Sequence, residues 1–529
     1  VTSKRAPWGL QVVGAVTAVA FAFPAAYLVY RNVTSGAERL TLLQSSRTLG
    51  PLWRTLQLSV LVSTSAVILG VCLAWLTVRT DLPGRKFWRT VLPIPLVFPT
   101  FIGAAAFRRT LNPGGLANGV LEAVGLDGFE LRGLFGAWLV LTLFTYPYVF
   151  LPVAARLLRM PGSLEESARV LGDTAPQAFR RIVLPQISGA AAAGTLLVFL
   201  YTISDFGAVQ LMLYDTLTRA IETNYVARPA LAFALSLLLL ALAMVVVAGE
   251  RRFSGSGNAE VQTRMLNPVS YTLGRLSLPA SIAVMAVAFT AVGAPMIAIL
   301  DWATDGVLRA TRNGRPLTID AEKVVEASRH TLESSLLAAL VAVIVVLPIA
   351  YLVGRYRGRI GTVSHAVVIA TFAVPGILIA LALRFWTLRA GLAGDLLLDT
   401  KALLVFAYVI RFGSLALGIC LVAVQAVPSR LLDAASTLGA GRLRRLRTVE
   451  LPLMAPGLLA AVGLVLLSTM KELPISLIIA PLGYRTLTTR IFGSFEEAFV
   501  AEAGIMAVIL VAMSAVLSWL LILRKADHA

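Results

Sequence analysis

Two short stretches of this chain carry an acid, a pair of small residues and a glycine at matching spacing. The first reads Glu166-Ser167-Ala168, then Gly172, then Leu184-Pro185. The second reads Asp433-Ala434-Ala435, then Gly439, then Leu451-Pro452. Each position of the second lies 267 residues after its counterpart. Both stretches are polar islands between long apolar runs, and a basic segment follows each: Arg180 and Arg181, then Arg442, Arg444, Arg445 and Arg447. The chemistry available here is recognition. Small residues keep a helix face slim enough to lie in another protein's groove, and the glycine permits a turn that a side chain would obstruct. Ser163 and Glu166 have the spacing of a capping box, whereas Ser429 sits one place early for the same arrangement with Asp433.

A second group of residues is defined by where it is charged. Asp205, Lys471, Glu472 and Arg411 fall inside apolar runs, where ionisable side chains face a protein interior or a water-filled cavity. Arg384 lies nearer the end of its run and can snorkel. Gly207 and Pro474 loosen the helices beside Asp205 and Glu472, which is tolerated where backbone lines a cavity. Two readings stay open for these groups. One is internal pairing, with Arg411 or Lys471 neutralising Asp205 or Glu472. The other is that the two carboxylates line a route for a cationic or metal-bearing substrate; they suit a hard ferric ion, but Lys471 opposes a simple cation site. No metal site is assigned. The three histidines, His330, His365 and His528, are scattered, and the two cysteines, Cys72 and Cys420, lie in apolar runs at inequivalent places. The sequence holds no G-x-x-x-x-G-K-[ST] phosphate loop and no convincing nucleophile–base set.

The elements that must carry these residues are membrane helices. Of 529 residues, 58% are hydrophobic and 14% charged, with a mean hydropathy of +0.82, well above the roughly 45–50% apolar content of soluble domains. Runs of about 20 apolar residues read as spans. Six occur at 9–30, 56–78, 91–107, 134–158, 189–213 and 230–249, and six more at 278–300, 332–353, 364–388, 402–427, 456–481 and 501–523. The first is too long for a signal-peptide core and is read as a retained span. Arg79, Arg85, Lys86 and Arg89, and later Arg355, Arg357 and Arg359, place those loops on the cytoplasmic side by the positive-inside rule. Both termini and both acid–small–glycine stretches then face the cytoplasm. The net charge of +18 reflects this topology and anionic lipid, and no nucleic-acid partner is expected.

The repeat extends through most of the chain. Thr55, Ala74, Arg79 and Pro99 recur as Thr331, Ala350, Arg355 and Pro375 at an offset of 276. Pro161 and Asp205 recur as Pro428 and Glu472 at 267, and Thr216-Leu217-Thr218 as Thr486-Leu487-Thr488 at 270. Six spans return the chain to its starting side, so the halves share one orientation. The expected fold is an all-α integral membrane protein with about twelve transmembrane helices in two parallel six-helix repeats. Residues 1–250 form the first half, 251–277 a cytoplasmic linker and 278–529 the second half.

The paired stretches resemble the EAA loops of bacterial ABC importer permeases. The Ser204-Asp205-Phe206-Gly207 run, the Met470-Lys471-Glu472-Leu473-Pro474-Ile475 run and Thr486-Leu487-Thr488-Thr489-Arg490-Ile491 are similar to those of the fused permeases of ferric-iron importers, in which one chain supplies both halves; thiamine permeases share that layout. The resemblance implies a type I importer permease in a bacterial inner membrane, one chain per complex, with two copies of an ABC ATPase and an extracytoplasmic binding protein. ATP and Mg would sit on the ATPase, and this chain would hold no cofactor and catalyse no reaction. Glu166, Ser167, Ala168, Gly172, Asp433, Ala434, Ala435 and Gly439 become the ATPase-coupling positions, and Asp205, Lys471, Glu472 and Arg411 the pathway candidates. Ferric iron is the expected cargo, with thiamine the alternative. A reading of another class is an ATP-independent secondary transporter of twelve spans.

Overall fold

A computed structural model describes residues 6–34, 42, 45–112, 125, 130–253, 271–312, 320–356, 358–497 and 499–526. Among them, ten helices are long and apolar enough to cross a membrane, or twelve if each of two bent helix pairs is one span. Helices prevail because a bilayer offers no water to the backbone, so each N–H and C=O must find its partner within its own segment.

Packing divides the chain into two compact units. One comprises Leu43–Thr223 and Ala241–Trp302; the other comprises Val1–Leu42, Asn224–Leu240 and Ala303–Ala529. These boundaries do not follow the halves of the duplication, 1–250 and 278–529. Hydropathy marks that a segment enters the bilayer but not which bundle receives it.

In the unit built on the first repeat, three long helices pack on one another: Ser46–Arg79, Gly133–Arg159 and Phe179–Ser204. Gly194 brings the last so close that a Cβ there would lie 2.7 Å from the carbonyl oxygen of Tyr148. The other unit repeats the triad with Ala321–Arg355, Lys401–Ala426 and Arg442–Thr469. It also takes in the first helix of the chain, Trp8–Val33. That helix is fixed there by Tyr27, whose hydroxyl donates to the Phe385 carbonyl at 3.1 Å, and by Phe23 edge-on to Trp386 at 5.3 Å. A Cβ on Gly14 would lie 2.6 Å from Leu352.

The spans read at 91–107 and 364–388 are not straight helices. Each is a pair bent sharply, by 97° between Arg85–Val97 and Thr100–Leu111, and by 104° between Arg359–Ala373 and Gly376–Thr387. The breaks fall at Pro99 and Pro375, equivalent prolines that stand in extended conformation just before the second helix of each pair. A residue before proline is driven out of helical torsions, and proline has no N–H to donate. The apolar composition is that of a span; the prolines decide its shape.

Interruptions free carbonyls, and side chains satisfy them. In the first repeat, the buried Tyr146 donates its hydroxyl at 2.7 Å to the Leu92 carbonyl, where the short helix Arg85–Val91 ends. In the second, Arg411 donates to the carbonyls of Phe372 at 3.0 Å and Val374 at 2.7 Å. A cation there also meets the negative end of the helix dipole. Arg411 thus has a structural role at the bend. Replacing it with Met should cost about 1–3 kcal/mol for each carbonyl left dry and lower the unfolding midpoint in detergent, with Lys at 411 milder; an unchanged midpoint for Arg411→Met would refute this.

Candidate functional site

The two acid–small–glycine stretches fold alike, residue for residue. The first begins as the helix Gly162–Val170, turns at Gly172, resumes as Ala175–Ala178 and runs through a wider π-turn at Phe179–Val183 into Leu184–Ser204. The second begins as Ser429–Thr437, turns at Gly439, resumes as Arg442–Arg445 and passes a π-turn at Leu446–Glu450 into Leu451–Thr469. Both loop helices and both π-turns coincide at the offset of 267.

Each loop helix ends in a turn that closes on its own carbonyls. Asp173 N–H reaches back to Ala168 O, and Ala440 N–H to Ala435 O, both at 3.0 Å. This six-residue closure requires a left-handed residue just beyond the helix, and Gly172 and Gly439 supply it with φ of +99° and +80°. A Cβ at either would meet nothing within 4 Å. The glycines are therefore required by torsion rather than by space.

What the loops present differs from what they bury. Leu171 and Leu438, equivalent residues just before the glycines, are each 87% exposed. Ser167, Asp433 and Ala434 are exposed, Ala435 is half-buried, and Ala168 is buried. The side chains of Ser163 and Glu166, and with them the capping box, lie outside the described residues.

The groups that fasten the loops were only partly visible in the sequence. Arg79 and Arg355, which close equivalent long helices, donate to equivalent carbonyls at the loop entries: Arg79 to Met160 at 3.4 Å and Arg355 to Val427 at 2.7 Å. Arg355 spends its remaining reach on the Val424 carbonyl at 2.7 Å. Arg79 instead pairs with Glu165 at 3.0 Å, and both side chains are wholly buried. Glu165, the acid beside the one singled out from the motif, thus anchors the first loop helix to its bundle. In the second loop Arg445 reaches Glu450 at 3.0 Å and Ser436 at 3.1 Å, while Tyr351 donates to Glu450 at 2.9 Å. The constant spacing of Arg79 and Arg355 was the available signal; nothing local in the sequence distinguishes Glu165 from Glu166.

The membrane-embedded acids also have equivalent settings. The helix Leu184–Ser204 stops at Asp205, whose Oδ1 accepts from the Ala208 and Val209 N–H groups at 3.0 and 3.4 Å. Its Oδ2 accepts from Thr100 at 2.6 Å. Asp205 therefore caps the short helix Gly207–Leu211 from inside the bundle. Thr218 donates to the Asp205 carbonyl at 2.6 Å, and Thr488 to the Glu472 carbonyl at 3.1 Å. Thr55 and Thr331 accept from the Leu217 and Leu487 N–H groups at 2.8 and 2.7 Å. The repeated threonines thus pin the same connection in each repeat. Lys471 and Glu472 are half-buried where the helix of the second repeat breaks before Pro474.

One substitution between the repeats explains another. The counterpart of Thr100 is Gly376, and a Cβ on Gly376 would collide with the Glu472 carboxylate. In the first repeat a short acid meets a threonine. In the second a longer acid occupies the room left by the missing side chain.

Comparison with known proteins places these features. A family model described as binding-protein-dependent transport system inner membrane component matches residues 66–254 and again 346–525. The chain is 26% identical over 532 residues to the Fe(3+)-transport system permease protein FbpB 2 of Haemophilus influenzae, covering 98% of each chain. It is 25% identical to the probable ABC transporter permease protein y4fN of Sinorhizobium fredii, covering 82% of this chain and 80% of that one. The sulfate transport system permease protein CysW of Escherichia coli matches 30% of this chain at 29% identity, over 55% of its own length.

The Thr100–Asp205 and Gly376–Glu472 settings make a reciprocal prediction. Gly376→Thr alone should destabilise the chain by about 1–3 kcal/mol through overpacking. Combining it with Glu472→Asp should restore most of that loss by rebuilding the threonine–aspartate pair. Thermal unfolding of the single and double variants in detergent measures the coupling, and strictly additive effects would contradict the assignment.

Proposed function

The chain belongs to the family of binding-protein-dependent transport system inner membrane components, the permease subunits of ABC importers, and on that premise we propose that it carries ferric iron into the cell. The observation that supports this cargo is the end-to-end match, over 98% of both chains, to a permease named for Fe(3+) transport. The sulfate permease similarity extends over only 30% of this chain. The family assignment sets aside the secondary-transporter reading.

In this reading the two loop helices are the coupling helices, each seated in a cleft of one copy of a separate ABC ATPase that binds ATP and Mg. Leu171 and Leu438 are the apolar contacts each helix offers. Full burial of such a leucine contributes about 1.5–3 kcal/mol, enough to make each loop a firm attachment when two are engaged. The same reading puts both loops and both termini in the cytoplasm and an extracytoplasmic binding protein on the opposite face. Closure of the ATPase dimer draws on the loops, and each π-turn leads that movement into a membrane helix. ATP and the binding protein drive the cycle only through differential affinity for its states.

Asp205 and Glu472 belong to this mechanism as fixed points beside the bends. Asp205 has its oxygens engaged by Thr100, Ala208 and Val209, which supports a positioning role over an open cation site. Selectivity for iron then rests chiefly with the binding protein that delivers it.

Uptake of radiolabelled ferric iron, with thiamine and sulfate as controls, tests the cargo: loss of the chain should abolish iron uptake alone. Gly172→Val and Gly439→Val should each cut iron uptake at least about tenfold, because a β-branched residue resists left-handed torsions, while Asn at either position retains most activity. Iron uptake that survives loss of the chain would remove the cargo assignment, and equal tolerance of Val and Asn would remove the coupling role of the turns.

A further inference from the structure

The segment that joins the two repeats re-enters the described structure at Tyr271, and it does so against the first loop. Tyr271 N–H donates to the Arg79 carbonyl at 2.8 Å, and Asp81 N–H donates to the Tyr271 carbonyl at 3.2 Å. These bonds form an isolated parallel bridge between Thr80 and Tyr271. Leu273 N–H adds a bond to the Asp81 carboxylate at 2.8 Å. The Tyr271 ring rests 5.3 Å from Trp75, which also meets Phe179 of the first π-turn edge-on at 4.8 Å. Its hydroxyl donates to Glu165 Oε2 at 2.6 Å, while the other Glu165 oxygen faces Arg79. One residue thus ties the connecting segment, the end of a membrane helix and the loop helix to a single buried carboxylate.

The second loop is fastened by other means. The place of Glu165 is taken by Leu432 and that of Trp75 by Tyr351. Tyr351 donates to Glu450 within the second π-turn, and Arg445 links Glu450 to Ser436. All four of these residues come from the second repeat.

We propose that Tyr271 is a positioning residue through which the segment between the repeats holds the first coupling helix, so that the two coupling helices answer to different restraints. The proposal rests on the reading of the loops as the ATPase contacts. A pull on the connecting segment is passed by the Thr80 bridge and the phenol to Glu165, and hence to the helix Gly162–Val170 that Leu171 follows. The second helix feels no such pull through its Tyr351–Glu450–Arg445 fastening. In a single-chain permease, the covalent connection then acts as part of the transmission at the first coupling helix.

The test uses the full chain in lipid nanodiscs, with Cys72 and Cys420 replaced by Ser and a spin label at position 171 or, separately, at 438. Tyr271→Phe keeps the ring on Trp75 and deletes only the hydroxyl. A lost hydrogen bond to a carboxylate should raise the released population of the first loop helix about tenfold, read as line narrowing at 171 with none at 438. Unchanged mobility at 171, or equal narrowing at both sites, overturns the proposal. In the complete transporter the same variant should lower cargo moved per ATP hydrolysed while the ATPase still copurifies; an unaltered ratio counts against the proposal. If the unaltered chain copurifies with no ATPase, the coupling-helix reading fails, whereas the label comparison still decides whether Tyr271 restrains the loop.

Discussion

A backbone surrounded by hydrocarbon must satisfy its own hydrogen bonds, and that constraint organises this protein wherever a helix is interrupted. A freed carbonyl or amide inside a bilayer costs several kcal/mol if left alone. Several breaks among the described residues are accordingly met by a side chain. Tyr146 serves Leu92, Arg411 serves Phe372 and Val374, and Thr55 and Thr331 serve Leu217 and Leu487. Arg79 and Arg355 serve the carbonyls at the loop entries. These polar side chains are the means by which an interrupted helix is tolerated in lipid.

Duplication makes this logic visible, because one backbone has been solved twice. Where both repeats keep a threonine, it does the same work at the same place. Where they diverge, the change is compensated nearby: Thr100 with Asp205 in one repeat, Gly376 with Glu472 in the other. Arg411 reaches carbonyls at the bend before Pro375, and Tyr146 reaches the Leu92 carbonyl where the helix Arg85–Val91 ends. What is held constant is the break and its satisfaction; the residue that achieves it is free to vary.

The loops show the complementary case, in which polar residues face outward. Their helices, glycine turns and π-turns coincide, and each ends on an exposed leucine beside a residue in left-handed conformation. Their anchors do not coincide. The first is held by a wholly buried ion pair and a tyrosine from the connecting segment, the second by a half-exposed arginine shared between Glu450 and Ser436. Removing one partner of a wholly buried pair leaves a stranded charge. Two handles of one shape are thus held by different anchors.

The sequence by itself determined the membrane class, the duplication, the family resemblance and the two glycine turns, because each is written in local composition or in exact spacing. Hydropathy needs only a window of neighbours, and a repeated glycine followed by Leu-Pro needs only a ruler. Tertiary structure alone decided that the first helix of the chain packs with the second repeat, and that two apolar runs bend near 100° at Pro99 and Pro375. It also decided that Glu165 meets Arg79 and Tyr271. Those outcomes depend on partners far apart in the chain and on which face of a helix a residue occupies. An apolar run has the same hydropathy whether straight or bent, and neighbouring glutamates are alike until a helix turns one of them inward.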